Sequence, residues 1–491
     1  MSAAYSEAYF VHSYGKDPTS WAEAMAGPFA NEWIAAMLEE RESFRARNVY
    51  KLVPRAAAKG YKIFKPKPVF KIKLNPPNAE EPNGSLDKFK YRLVIMAFTR
   101  MLKQGIDYEE KRSSQARWES LKAIIGLAVH LDFDLVLNDI KTFFLYGKFD
   151  KNTRVFMEQP DGWDTPEKPA ADWVCECIHT VYGHPAASHE SQKVLNETLT
   201  KKNEFKRLAA DDCVYITHSA SPRLPGYAAL GTHVDDILGI GDKKGLAVLH
   251  RTLKEKFEFT SVNDPACITG VQIDRNRPAK WLRLHQEDYI VDLLAEWGMA
   301  DCTKADTPID PGSARALMLI EEVGTDPKVI KRYQGLIGSL LWLLKTRPDI
   351  MFAVNLLCRF SNYATVAHLK ISTRVLRYLK GTKHYGIVFQ GGSDDDGILY
   401  AEADADLAGD LGTSRSTLGY YVKFGKFGAI SCNSKLDRKI STSTGQAETY
   451  ALAGLVRQIS WVRHLFYELG FPQSKPTVVG TDNQGVLLQS T

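Results

Sequence analysis

One short stretch, Gly231-Thr-His-Val-Asp-Asp-Ile-Leu-Gly-Ile-Gly241, limits more than any other what this chain can fold into. Two adjacent carboxylates, Asp235 and Asp236, stand between Val234 and Ile237, inside an apolar run bounded by glycines. That pattern reads as a β-hairpin with charge at its tip. Like charges so placed raise each other's pKa unless a cation sits between them, and oxygen donors of this kind take a hard divalent ion such as Mg²⁺. An ordinary Asp-Asp turn is the competing account, and the chain has other acidic runs in Asp211-Asp212 and Asp394-Asp395-Asp396.

A third carboxylate shifts the balance. The segment DLVLNDIKTFFLYG reads as a strand carrying Asp139 next to Ile140 and opening toward Phe143, Phe144 and Leu145. A strand bearing one carboxylate, followed downstream by a hairpin bearing two, is what a two-metal nucleotidyl-transfer site requires. The metals of such a site sit roughly 3.5 to 4 Å apart between carboxylates of neighbouring strands.

Charge distribution points the same way. The net charge is only +5, but from Lys51 to Asn78 the chain carries Lys51, Arg55, Lys59, Lys62, Lys65, Lys67, Lys71 and Lys73 with no acidic residue, interleaved with Tyr61, Phe64 and Phe70. A basic strip with aromatics suits a phosphate-tracking surface; a solvated edge strand guarded by lysines has the same composition. At 491 residues the chain is too long for a single core. No run approaches the roughly 18 apolar residues of a membrane span, and the first residues lack the basic-then-apolar pattern of a secretory signal. The expectation is a protein without membrane contact that stays inside the cell, in cytoplasm or nucleus. Seven cysteines, scattered except for Cys175-Glu-Cys177, fit reduced thiols better than a zinc module.

Periodicity supplies the elements. Residues 18–47 read as helical, with Trp33, Met37 and Leu38 inside and Glu39, Glu40, Arg41 and Glu42 outside. The alternating segments KPVFKIKL and KYRLVIMAF flank a turn-forming cluster and read as a hairpin; Lys90 and Arg92, two apart, share a face. Residues 116–131 return to a helical stripe. Toward the C-terminus, ILYAEADAD presents Asp404 with Asp406 on the same face, a helix from about Gln446 to Leu469 carries Glu448 in its first turn, and TVVGTDN is a strand ending in Asp482.

The order of motifs resembles a copia-type long-terminal-repeat retrotransposon reverse transcriptase with a C-terminal ribonuclease H domain, a portion of the pol polyprotein. The matching pieces include WIAAMLEE, KYRLV, KQGIDYEE, NDIKTFFLYGKF, VFMEQPDGW, VYGHPA, HVDDIL, YQGLIGSLLWL, TRPDI, RVLRYLKGT, ADADLAGD, STGQAET and TDNQG, in family order over most of the chain. The resemblance implies an α+β fold: a right-hand polymerase with fingers, palm, thumb and connection, then a truncated α/β ribonuclease H-like domain. It assigns residues 1–17 to an N-terminal segment, 18–240 to fingers and palm, 241–310 to thumb, 311–390 to connection and 391–491 to the ribonuclease H-like domain.

By the same resemblance Asp139, Asp235 and Asp236 hold two Mg²⁺ or Mn²⁺ ions, Lys90 and Arg92 meet the incoming triphosphate, and Lys62, Lys65, Lys67, Lys71 and Lys73 track nucleic acid. Phe144 stands where similar polymerases place an aromatic that crowds the sugar 2′ position, although core packing would explain it equally well. Asp404, Glu448 and Asp482 match a second two-metal set. The implied partners are an RNA or DNA template with its primer, deoxynucleoside triphosphates and other products of the same polyprotein, with the oligomeric state left open. Two departures qualify this. The family's usual residues after YG are replaced by His184-Pro185-Ala186, and the chain stops at Thr491, before the helix that brings the family's fourth ribonuclease H carboxylate. RNA cleavage is therefore expected to be feeble. The rival expectation is a catalytically silent remnant that binds nucleic acid without extending a primer.

Overall fold

The computed structural model describes residues 16–74, 85–97, 115–150, 153–201, 204–217, 221–392 and 397–483. The KQGIDYEE motif, the expected turn within residues 75–84, the acidic run 394–396 and the chain from residue 484 lie outside those ranges.

At the centre is a six-stranded antiparallel sheet in the order Phe259–Asn263, Asp134–Ile140, Asp236–Gly241, Ala228–His233, Val214–Thr217 and Phe205–Arg207. One of its faces is covered by the helix Trp118–His130, in which every residue from Ser120 to Val129 is buried. A helix buried on all sides, Ser120 and Lys122 included, needs partners on all sides. Here the sheet lies on one flank and the C-terminal part of the chain on the other, with Gly126 so close to Phe389 that a Cβ would sit 3.0 Å from its ring. Helices Ala187–Thr200 and Lys243–Lys254 close the opposite face of the sheet through Leu195, Leu199, Leu246, Leu249 and Leu253.

The expected helix over 18–47 is two helices, Trp21–Ala26 and Ala30–Ala46, because Gly27-Pro28 cannot continue the first. Its inner face also differs from the expected one. Leu38 is exposed and Glu40 is buried, since the stripe that packs is Trp33, Ala36, Met37, Glu40 and Phe44. The basic hairpin forms from Pro66–Leu74 and Leu86–Ile95, with Val69 opposite Arg92, Lys71 opposite Lys90 and Lys73 opposite Lys88. Directly opposed residues point to one side, so these cations share a face, while Phe70, Ile72, Tyr91 and Leu93 are buried on the other. Trp33 meets the rings of Phe70 and Phe89 at 5.1 and 4.7 Å.

Three of the expected boundaries do not coincide with packing. The central sheet takes in Phe259–Asn263, which pairs with Asp134–Ile140, so it runs past residue 240. Residue 310 divides a single helical bundle: Ile290, Leu293 and Leu294 pack with Leu336, Leu340, Val354 and Leu376 in one core. The apolar stripes of Glu287–Glu296, Pro327–Leu343, Met351–Cys358 and Val366–Gly381 bury against one another and against Pro311–Met318. After the bundle, Gly386–Gln390 returns to pair with Trp281–His285.

The C-terminal sheet runs Gly428–Leu436, Thr417–Phe424, Leu399–Asp406 and Val478–Gly480, the last pair parallel. Helix Thr444–Glu468 packs on its inner face. The last strand stops at Gly480, so Asp482 lies just beyond it rather than at its end. Residue 391 is likewise no break in the core. Tyr227 Oη donates to the Leu469 carbonyl at 2.8 Å, Trp461 Nε1 donates to the Ala210 carbonyl at 2.9 Å, and Glu468 accepts from the amides of Ala209 and Ala210. No helix among the described residues is long and apolar enough to cross a membrane.

Candidate active site

The glycine-bounded acidic stretch is a hairpin. Ala228–His233 pairs with Asp236–Gly241, His233 opposes Asp236, and Val234 and Asp235 form the tip. Val234 has φ +61°, a conformation that costs a β-branched residue energy and that the flanking ladder must hold. The tip is also tied to its neighbour, because the Ile140 amide donates to the Asp235 carbonyl at 3.0 Å. Across the next ladder Asp236 stands directly opposite Asp139. Asp139 and the adjacent pair Asp235-Asp236, far apart in sequence, thus come to one end of the central sheet.

They line one wall of a cleft of about 720 Å³ whose other wall is the basic hairpin, with Lys73, Lys88, Lys90 and Arg92, and whose side is formed by Phe144 and Tyr182. Burial, with Asp235 and Asp139 alongside, pushes the Asp236 carboxyl up to about 6. Asp235 is raised by burial first and by Asp139 second, while Arg92 and Lys90 pull it down. Lys90 is lowered by burial and by the charges of Arg92, Lys73 and Lys88, with Asp139 opposing. The donor set is all oxygen and strained by its own negative charge, which suits a hard divalent cation.

Phe144 is half-buried in the cleft wall, its ring 5.5 Å from that of Tyr182, whereas its neighbour Phe143 is the one sealed in the core. Tyr182 in turn lies under the Arg92 guanidinium at 5.9 Å. Of the basic strip, only Lys73 reaches the cleft. Lys71 is on the same face but its ammonium pairs with Asp17 at 2.8 Å, and Lys62, Lys65 and Lys67 are exposed outside it. Lys88, Lys141 and Tyr182 line the cleft without having been singled out from sequence. Lys88 sits two residues before Lys90, so the alternation that paired Lys90 with Arg92 reaches it as well.

The segment after Tyr182 departs from the family yet is well seated. Gly183 has φ +87°, and a Cβ there would fall 2.3 Å from the Ile95 carbonyl oxygen, at the point where the Ile95 amide donates to the Tyr182 carbonyl. Only glycine lets the two chains touch so closely.

A second acidic group lies in the C-terminal sheet. One oxygen from each of Asp404, Glu448 and Asp482 falls within 4.8 Å of the others. Glu448 is buried, accepts the Ala405 amide through Oε1 at 3.3 Å, and keeps Oε2 buried with no hydrogen-bond partner among the described residues. Burial raises its pKa, with Asp404 and Asp482 adding to the effect. An orphaned carboxylate oxygen facing two further carboxylates is a fitting ligand for a metal ion. The face of Asp404 and Asp482 looks across a cavity of about 670 Å³ at Pro348, Met351 and Phe352 of the helical bundle.

Residues 47–311 match the family model described as reverse transcriptase (RNA-dependent DNA polymerase). The chain belongs to the reverse transcriptase family. This reverse transcriptase chain is 33% identical over 485 residues to the retrovirus-related Pol polyprotein from transposon TNT 1-94 of Nicotiana tabacum, covering 98% of this chain and 35% of that one. It is 32% identical over 404 residues to the retrovirus-related Pol polyprotein from transposon RE1 of Arabidopsis thaliana, covering 82% and 26%. It therefore spans about a third or less of the length of these relatives. Among solved structures it aligns with a foamy viral protease-reverse transcriptase in complex with double-stranded DNA, at a TM-score of 0.47 and 12% identity over 93% of this chain and 64% of that one.

Proposed function

We propose that this chain is the reverse transcriptase of a copia-type retrotransposon and extends a primer on an RNA or DNA template, using deoxynucleoside triphosphates. The observation that carries the reading is the pairing of Asp139 with Asp236 across adjacent strands, with Asp235 at the hairpin tip and the four cations of the basic hairpin facing them over one cleft. Fingers, palm and thumb correspond in this reading to the basic hairpin with its helices, the central sheet and the helical bundle.

Asp139, Asp235 and Asp236 would hold two Mg²⁺ or Mn²⁺ ions, whose oxygen-ligand preference they meet. The chemistry such ions supply is acidification of the primer 3′-hydroxyl and neutralisation of the leaving pyrophosphate. The side chains do the positioning. Lys90 and Arg92 stand across the cleft from the carboxylates, where a triphosphate would meet them, and Lys73 and Lys88 extend the same cationic face. Phe144, on the cleft wall and pinned by Tyr182, would exclude a sugar 2′-hydroxyl by contact. Asp404, Glu448 and Asp482 would hold a metal in the ribonuclease H-like domain.

The test is template-directed extension by the purified chain with Mg²⁺ or Mn²⁺. Asp235→Asn keeps the shape and removes a charge, so extension should fall by several orders of magnitude while the fold is retained. Extension by that variant at the parental rate would refute the assignment.

A further inference from the structure

Away from the cleft lies a second cationic feature that the proposed polymerase chemistry does not use. Between helix Thr444–Glu468 and the C-terminal sheet runs a groove of about 590 Å³ whose lining includes Leu418, Tyr420, Ala451, Gly454, Tyr450 and Trp461. Its rim carries Arg117, Lys435, Arg438, Lys439 and Arg457, all exposed. Asp437 is the one carboxylate lining it, and Asp437 is engaged in accepting the Lys439 amide at 3.3 Å. Glu119 lies nearby, close enough to act on Tyr420. Among the described residues none of the five cations is ion-paired with a carboxylate.

Rings and cations alternate along the groove. The Arg117 guanidinium lies 5.0 Å from the Trp461 ring and the Lys439 ammonium 5.6 Å from the Tyr450 ring. Lys435 and Leu436 close Gly428–Leu436, the edge strand of the sheet. Five like charges gathered over an apolar, aromatic floor repel one another, and a ligand that relieves the repulsion must be a polyanion with flat apolar groups. Phosphodiesters spaced along unpaired bases meet both demands. A duplex meets only the first, because its bases are stacked inward and cannot reach Tyr420 or Trp461. We propose that this groove binds single-stranded nucleic acid, with phosphates on Arg117, Lys435, Arg438, Lys439 and Arg457 and bases on the rings of Tyr420, Tyr450 and Trp461. Arg117 directly precedes the buried helix Trp118–His130, which underlies the central sheet, so a strand held here is held at a fixed place relative to the cleft.

The experiment uses the full chain and a fluorescein-labelled oligothymidylate of twelve nucleotides, read by anisotropy over a series of salt concentrations. In the quadruple variant Lys435→Ala, Arg438→Ala, Lys439→Ala and Arg457→Ala, affinity should fall at least tenfold. The slope of log affinity against log salt should flatten by about 0.7 for each phosphate that no longer meets a cation. Tyr450→Ala should weaken binding without changing the slope, since it removes stacking and no charge. Extension by one nucleotide of a hairpin primer with a single-nucleotide 5′ template overhang should be unaffected in the quadruple variant, which shows that it is folded. Asp235→Asn, by contrast, should lose extension and keep oligothymidylate binding, so failure of the groove and failure of the polymerase reading are separable. Unchanged affinity and slope in the quadruple variant, or polyglutamate of equal charge competing as well as the oligonucleotide, would overturn the proposal.

Discussion

Glu40 offers a quantitative test of how the basic wall of the cleft is held. It lies on helix Ala30–Ala46 beneath the basic hairpin, is 7% exposed, and accepts the Leu93 amide at 3.3 Å. Burial raises its pKa from 4.5 to about 7, against the pull of Arg92 and Lys90. The folded state therefore binds this proton more tightly than the unfolded chain does. Stability from this group is fully present below pH 4.5 and declines as pH rises toward 7, where ionisation leaves a buried charge. The difference of about 2.5 pKa units corresponds to about 3 kcal/mol. Glu40→Gln can still accept from Leu93 and has no charge to bury, so it should remove this pH dependence. Because a chain of this size does not unfold in one step, the measurement should be local: hydrogen exchange of peptides covering residues 86–95, compared between variant and parent at each pH. Between pH 4.5 and pH 8 the ratio of protection, variant over parent, should rise by roughly 150-fold, which is that energy expressed as an opening equilibrium. A ratio that stays constant over this range would show that Glu40 is not a buried, proton-holding group and that the hairpin is anchored otherwise.

Three further outcomes are expected. Neutralising Lys90 and Arg92 together should raise the KM for deoxynucleotides more than it weakens binding of a primer–template, and an unchanged KM would remove them from the triphosphate site. Phe144→Ala should raise the ratio of ribonucleotide to deoxyribonucleotide incorporation, at a stability cost below the 3 to 5 kcal/mol of a fully buried Phe; lost stability with unchanged selectivity would make Phe144 a packing residue. Glu448→Gln should weaken Mn²⁺ binding at the C-terminal carboxylates, followed by paramagnetic broadening in a chain that also carries Asp235→Asn, and identical Mn²⁺ binding in both would dismiss that site.

Much of the local structure was legible because a single period governed it. The strand pattern of DLVLNDI, the hairpin around Asp235 and Asp236, and the helical stripe over 116–131 all form close to where alternation and 3.6-residue spacing put them. What the pattern missed arises from contacts between segments remote in sequence. Glu40 reads as an outward residue on a charged helical face, yet the hairpin packs over it and buries it. The strand Phe259–Asn263 belongs to the central sheet only because the edge of Asp134–Ile140 is free to take it. No local signal marks that partnership, and the same holds for the helical bundle that crosses residue 310.

The site shows where composition stops being informative. Lysines 62, 65, 67, 71 and 73 form one basic strip in sequence, but Lys62 and Lys65 precede the hairpin strand, and Lys67, though it shares the face of Lys71 and Lys73, lies outside the cleft. Lys73 faces the carboxylates because it is paired with Lys88 on the same side as Lys90 and Arg92, and Lys71, equally well oriented, is neutralised by Asp17. Register and pairing therefore decide which cations belong to the cleft. Counting lysines in a window points to the right element and to the wrong residues within it. The groove beside Trp461 is the converse case. Lys435, Arg438 and Lys439 lie within one short stretch, but Arg457 and above all Arg117 come from elsewhere in the chain. Arg117 joins the other four only where the C-terminal helix docks against the central sheet, a docking held by Tyr227, Ala210 and Glu468. Loosening that docking, for instance by Tyr227→Phe, should disturb the groove while leaving Asp139, Asp235 and Asp236, on the far end of the same sheet, in place.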